Sequence, residues 1–137
     1  MMIALDLEAS LIDNAISGVA RPGLRTFIEF CLEAFERVAL LTTVEETDAR
    51  EVLYALADAG HVPEEFTSVE YIDWQGRYKD LRCVNNVTLG EILFLDDDES
   101  WIHPEQTAQW ISIKPWHGDT EDTELSRVRK VISERLG

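Results

Sequence analysis

Positive charge is scarce in this chain: 12 Lys and Arg stand against 27 Asp and Glu, a formal net charge of −15. A surface of that sign repels phosphate backbones and anionic lipid, which argues against generic nucleic-acid binding and against docking on acidic membranes. Long apolar runs are missing as well, and none approaches the roughly 20 residues of a membrane-spanning helix. No basic segment leads into an apolar one at the N-terminus, so no secretory leader is expected. The two cysteines, Cys31 and Cys83, match no metal or redox spacing. Both lie among apolar residues and are expected to be reduced core thiols of a cytoplasmic protein. Repeats, linkers and low-complexity stretches are absent. What remains is 137 residues with 45% hydrophobic content, enough for a core of its own and read as one domain over residues 1–137.

Apolar periodicity alternates between two kinds. Residues 2–6 read as a buried strand and 7–20 as a loop containing Gly18. Arg21-Pro22-Gly23 leads into apolar residues at helical spacing, which predicts a helix over about 22–36. Val38 to Leu41 reads as a second strand. Thr43-Val44-Glu45-Glu46 has the form of a capping box, opening a helix over about 45–59 that stops at Gly60. Residues 67–73 suit an edge strand, and Lys79-Asp80-Leu81 opens a short helix. Glu91 to Leu95 predicts a fourth strand stopping at Asp96-Asp97-Asp98, Trp110 to Ile113 a fifth, and 120–136 a last helix. Strands alternating with helices imply an α/β fold, a mainly parallel five-stranded sheet with helices on both faces and right-handed crossovers.

In such sheets ligands bind outside the carboxyl ends of the strands. The ends of the first, second and fourth strands would bring Asp6, Glu8, Thr42, Asp96 and Asp97 into one crevice. Carboxylates crowded there must be protonated or hold a cation. Hard oxygen donors with open positions suit Mg²⁺ together with a substrate phosphate. A strand-end carboxylate beside such an ion is a feasible nucleophile for phosphorus, and the Thr42 hydroxyl and Lys79 ammonium can bind the other phosphoryl oxygens.

The stretch Asp6-Leu7-Glu8-Ala9-Ser10 resembles the first motif of the haloacid dehalogenase-like (HAD) superfamily, Asp-x-Asp-x-Thr or -Val, with Glu8 and Ser10 as departures. Three more motifs follow in order: Leu40-Leu41-Thr42, Lys79, and the pair Asp96-Asp97. Arg21-Pro22-Gly23, Tyr78-Lys79-Asp80-Leu81, Trp101 and His103-Pro104 are similar to the small-CTD-phosphatase group, the NLI-interacting-factor family. The resemblance implies a HAD-like, Rossmann-type three-layer sandwich without a large cap domain, and a Mg²⁺-dependent phosphatase. It implies Asp6 as the nucleophile that forms an aspartyl-phosphate. Asp6, the Glu8 carbonyl and Asp96 would hold Mg²⁺, with Asp97 as a further ligand. Thr42 and Lys79 would hold the phosphoryl group, and position 8, normally Asp, would be the acid and then the base.

Glu8 is one methylene longer than Asp, which predicts a slow enzyme. With no room for a cap, the crevice suits a phosphate carried on something large, such as a phosphoprotein side chain. Two other readings stay open. One is a phosphatase of nucleic-acid ends, disfavoured by the charge. The other is a non-catalytic phosphate- or protein-binding module, which Glu8 favours and the full acidic set opposes. Among the remaining residues, Arg21 is expected at the surface or as a cap, Asp98 in a solvated loop or as a cap, and His61, His103 and His117 in structural roles. Trp74 is the tryptophan expected near the mouth of the crevice.

Overall fold

The computed structural model describes residues 1–137. Five strands form one all-parallel sheet: β1 (Met2–Leu5), β2 (Arg37–Leu40), β3 (Glu70–Tyr71), β4 (Ile92–Asp96) and β5 (Trp110–Ser112), in the order β3-β2-β1-β4-β5. Three α-helices join them: α1 (Leu24–Ala34), α2 (Glu46–Asp58) and α3 (Glu124–Leu136).

Side chains alternate across each strand, and that period of two divides the core. Ile3, Leu5, Val38, Leu40, Leu93 and Leu95 face one side, where Phe27, Ile28, Leu53, Leu56, Val128 and Ile132 of the three helices cover them. Met2, Ala4, Ala39, Ile92 and Phe94 face the other, against Ile72, Leu81, Val84 and Ile102. The sheet is thus buried on both faces, as an all-parallel sheet requires. The layers differ in kind, however. All three α-helices lie on one face, and the other is covered by 3₁₀ turns and loops. Right-handed crossovers account for this. The chain steps from β1 through β2 to β3 over one face, then doubles back past β1 to β4 over the opposite face. The return to β4 carries the short turns Leu81–Cys83 and Leu89–Glu91, and the next crossover, from β4 to β5 over the same face, carries Glu99–Trp101 and Pro104–Gln109.

Several boundaries move from their sequence positions. β3 has only two paired residues, because Glu64–Ser68 coils into a 3₁₀ turn in which the Thr67 hydroxyl donates to the Glu64 carbonyl at 2.7 Å. It is an edge strand, as expected. The box expected at Thr43–Glu46 does not form; Glu45 holds the N-cap position without a side-chain bond. A capping box closes instead at Thr88–Glu91. Lys79 itself lies outside any helix, and the turn after it is capped by Asp80, which accepts from the Arg82 amide. Cys31 is buried on the inner face of α1, but Cys83 is exposed and is not the core thiol its apolar neighbours suggested.

Candidate active site

The strand order reverses at β1 and β4, so the loops leaving these two neighbours part in opposite directions and open a crevice between them. Leu5 pairs with Leu95, and the Asp6 amide donates to the Leu95 carbonyl at 2.9 Å. Sheet register therefore sets Asp6 and Asp96 side by side. Asp97 follows directly, and carboxylate oxygens of Asp6, Asp96 and Asp97 all lie within 4.8 Å of one another. The crevice is about 150 Å³ and is lined by Asp6, Glu8, Thr43, Lys79, Asp96, Asp97, Asp98 and Trp101. That is room for about five waters, or for a hydrated ion with a phosphate.

Lys79 enters this acidic cluster from the return segment and is 1% exposed. Its Nζ donates to Asp6 Oδ1 at 2.9 Å and to Asp96 Oδ2 at 2.7 Å. Its backbone amide is fixed by the Trp101 carbonyl, and the Trp101 ring lies 5.9 Å from the ammonium. Gln106, buried, holds the same segment by accepting from the Leu81 amide and donating to Asp80. The buried Ser10 hydroxyl lies 2.8 Å from Asp6 Oδ2 and 3.2 Å from Asp97 Oδ1, close enough to donate its one proton to either. Burial raises the Asp6 carboxyl well above the usual range; Lys79 opposes that shift and Asp96 adds to it. Asp96 is raised for the same leading reason, again against Lys79. Burial works to lower the Lys79 ammonium, but the two carboxylates outweigh it and hold the pKa above its ordinary value. One ammonium serves two buried carboxylates, so the cluster must keep a proton or take up a further cation.

The loop after β1 is held by a residue whose importance spacing alone did not reveal. Arg21 is 1% exposed, neither a surface residue nor a cap. Its five N–H donors are all used: Nε and Nη2 on the Asp122 carboxylate, Nη1 on the Ala9 and Ser10 carbonyls, and Nη2 also on the Lys114 carbonyl. Ala9 lies in the left-handed region at φ 62°, a conformation that costs a non-glycine residue about 1–2 kcal/mol. Arg21 Nη1 and the Trp116 amide both donate to its carbonyl and hold it there. Arg21→Met is expected to lower unfolding stability by about 3–5 kcal/mol, because it leaves Asp122 unpaired. In urea titrations, adding Asp122→Leu should cost less than the sum of the two single changes.

Of the five residues expected in one crevice, Asp6, Glu8, Asp96 and Asp97 line it and Thr42 does not; Lys79 lines it as well. Glu8 is half-buried at its edge, and its Oε2 accepts from the Ala15 amide at 2.7 Å. Thr42 lies just beneath: it is buried, its hydroxyl accepts from the Val44 amide, and Thr43 is the threonine that lines the crevice. Trp74 lines the neighbouring cavity, not the crevice; its indole donates to the Thr42 carbonyl and its ring is edge-on to Trp101 at 5.6 Å. Asp98 caps the turn that carries Trp101, and His103 caps the turn after it. Gln106 and Asp122 carried no signal beyond being polar, and Ser10 only its place at the end of the first motif.

A family model described as NLI interacting factor-like phosphatase matches residues 3–136, from the first strand to the end of α3. The chain belongs to that family. It is a phosphatase family of the HAD superfamily, one that typically depends on Mg²⁺. No protein of curated function matches the sequence significantly. The acidic cluster fits the ion that the family implies. Ligands on an octahedral Mg²⁺ lie about 3–4 Å apart, near the spacing of the three carboxylates, and oxygen is the donor the ion prefers.

The raised carboxyls predict how metal-free stability depends on pH. Asp6 and Asp96 are raised in the folded state, so folded protein keeps protons that unfolded chain has released. Their contribution is complete below about pH 4, the ordinary carboxylate range, and is lost as pH rises toward and past neutrality. Asp80 and Glu124 are held low by their arginine partners, Arg82 and Arg127, and act oppositely; their contribution is lost only as pH falls below that range. In EDTA the melting temperature should therefore decline from about pH 5 to about pH 8. Millimolar Mg²⁺ should raise it most at the alkaline end, by binding the folded state alone. Asp96→Asn should flatten both responses. An equal melting curve with and without Mg²⁺ under those alkaline conditions would sink the metal site.

Proposed function

We propose that this chain is a Mg²⁺-dependent phosphomonoesterase that works through an aspartyl-phosphate on Asp6. The observation that carries this reading is the position of Asp6: at a strand end, 5% exposed, between the Lys79 ammonium and the Ser10 hydroxyl, with Asp96 and Asp97 beside it. Asp6, Asp96, Asp97 and the Glu8 carbonyl are the ligands we assign to Mg²⁺. When bound, the ion neutralises phosphoryl charge and keeps Asp6 ionised. The Lys79 ammonium and the Thr42 hydroxyl, with Thr43 alongside, take the remaining phosphoryl oxygens.

In the first step an Asp6 oxygen forms a bond to phosphorus as the ester oxygen leaves, and Glu8 gives that oxygen a proton. In the second, Glu8 takes a proton from water, the water oxygen bonds to phosphorus, and Asp6 is released with inorganic phosphate. The Ala15 amide holds one Glu8 oxygen and leaves the other for proton transfer. Alkyl phosphates, whose leaving groups need the proton, depend most on Glu8.

The crevice has no cap over it, and the loop after Asp6 is tied short by bridges of Ile12 to Glu8 and Ala20. That openness favours a phosphate borne on a protein side chain. The whole of residues 1–137 acts as one unit, and its unpaired thiols suit the cytoplasm. One observation favours the second reading, a phosphate-binding module: the same Ala15 contact can park Glu8 away from the reacting atoms.

The experiment is phosphate release from an aryl phosphate. Activity should need millimolar Mg²⁺, vanish in EDTA and return when Mg²⁺ is restored. No release from any phosphomonoester by protein that binds Mg²⁺ would replace the phosphatase with the binding module.

A further inference from the structure

A second cavity, about 350 Å³, lies next to the acidic crevice at the β3 edge of the sheet. It is lined by Thr42, Thr43, Glu45, Tyr71, Ile72, Asp73 and Trp74, none of them basic. Thr43 lines both cavities, so one residue separates them. The ridge above it is the Trp74–Trp101 pair, with Trp74 facing this cavity and Trp101 the crevice. Trp74 is pinned by its bond to the Thr42 carbonyl, and Tyr71 by donating to the Val44 carbonyl at 2.6 Å. The aromatic walls are therefore rigid before anything binds.

The charge of this cavity is one-sided. Glu45 and Asp73 are exposed at its walls, and neither forms an ion pair within the chain. The Tyr71 hydroxyl feels burial first and then only acids, Asp73, Glu46 and Glu45, all of which raise its pKa. Two free carboxylates over aromatic rings attract a cation on a long aliphatic stem: the stem covers the rings, and the head meets the carboxylates and the ring faces.

We propose that this cavity is a specificity subsite for a lysine or arginine side chain close in sequence to the phosphorylated residue, so that the substrate is a phosphopeptide with a basic neighbour. The proposal rests on the phosphatase reading for the position of the phosphate. Charge on the partner also complements the whole molecule, whose net charge of −15 would otherwise repel a phosphorylated acidic peptide.

The test compares phosphoserine peptides that differ only in flanking residues: lysine or arginine, glutamine, or glutamate. Binding is followed by tryptophan fluorescence in Mg²⁺ and hydrolysis by phosphate release, for wild type and for Glu45→Gln/Asp73→Asn. Neither carboxylate of that pair takes part in the proposed chemistry, and both are exposed, so folding should be intact. Wild type should bind the basic peptides about tenfold more tightly than the glutamine peptide, a margin that shrinks with salt. The double variant should lose that margin and hydrolyse an aryl phosphate at the wild-type rate. Equal binding of basic and neutral peptides overturns the subsite, as does a preference that survives in the double variant. Absence of all hydrolysis overturns the phosphatase reading and leaves the binding comparison to decide the subsite.

Discussion

Asp6→Asn is expected to abolish turnover, lowering phosphate release by about 10⁴-fold or more, as loss of a covalent nucleophile does in other hydrolases. The fold should survive. The side-chain amide of that variant keeps a carbonyl oxygen for Lys79, and its N–H can donate to the Ser10 hydroxyl, whose own proton then goes to Asp97. One buried carboxylate in competition for a single ammonium disappears, so metal-free protein should be no less stable than wild type. Beryllium fluoride with Mg²⁺ offers a second readout that does not depend on turnover. It should form an acyl-phosphate mimic on Asp6 and raise the melting temperature of wild type, and it should leave Asp6→Asn unchanged. Wild-type turnover by Asp6→Asn would mean that phosphorus is attacked by water or another group, and that Asp6 serves only to hold the ion.

The frame around Asp6 could be read from the sequence because it depends on short-range regularities. Short apolar runs, each ending in a polar residue, mark β1, β2 and β4, and Asp6, Thr42 and Asp96 fall where those runs stop. With β1 and β4 neighbours in a parallel sheet, register sets Asp6 beside Asp96. Helical spacing identifies α1, α2 and α3, although α1 and α3 open later than the spacing predicts, at Leu24 and Glu124.

Long-range choices were not legible in the same way. Which face carries the helices depends on the direction of the β3-to-β4 return, and no local pattern encodes that. Arg21 gives the clearest case. Beside Pro22-Gly23 it resembles a helix entry, yet its five bonds run to Ala9, Ser10, Lys114 and Asp122, up to 101 residues away. A guanidinium can be buried only when every donor is met, and the partners become visible only in three dimensions. Ser10 is similar: its spacing from Asp6 is local, but its second acceptor, Asp97, is 87 residues away. Cys83 failed for the opposite reason. Apolar neighbours in sequence do not bury a residue when it closes a surface turn on the 3₁₀ face.

Glu8 carries the second large effect, and its geometry decides the direction. Glu8→Gln should reduce hydrolysis of phosphoserine peptides by about 10²–10⁴-fold, the usual worth of a placed proton donor, and reduce aryl phosphate hydrolysis far less. Aryl leaving groups depart without a proton, so the gap between the two substrates measures the acid role. Breakdown of the aspartyl-phosphate still needs a base, so the intermediate should accumulate in Glu8→Gln and be trapped by acid quench. Glu8→Asp tests whether the loop is built for the longer side chain. Glu8 reaches the Ala15 amide at 2.7 Å from a position beside Ala9, whose left-handed backbone is clamped by Arg21. An aspartate one methylene shorter loses that anchor and retreats from the reacting oxygen by about 1 Å, a displacement worth on the order of 10²-fold. The rate should therefore fall with Glu8→Asp, more on phosphoserine than on aryl phosphate. A rise instead would mean that the Ala15 contact holds Glu8 out of line and that aspartate restores a geometry the loop already permits.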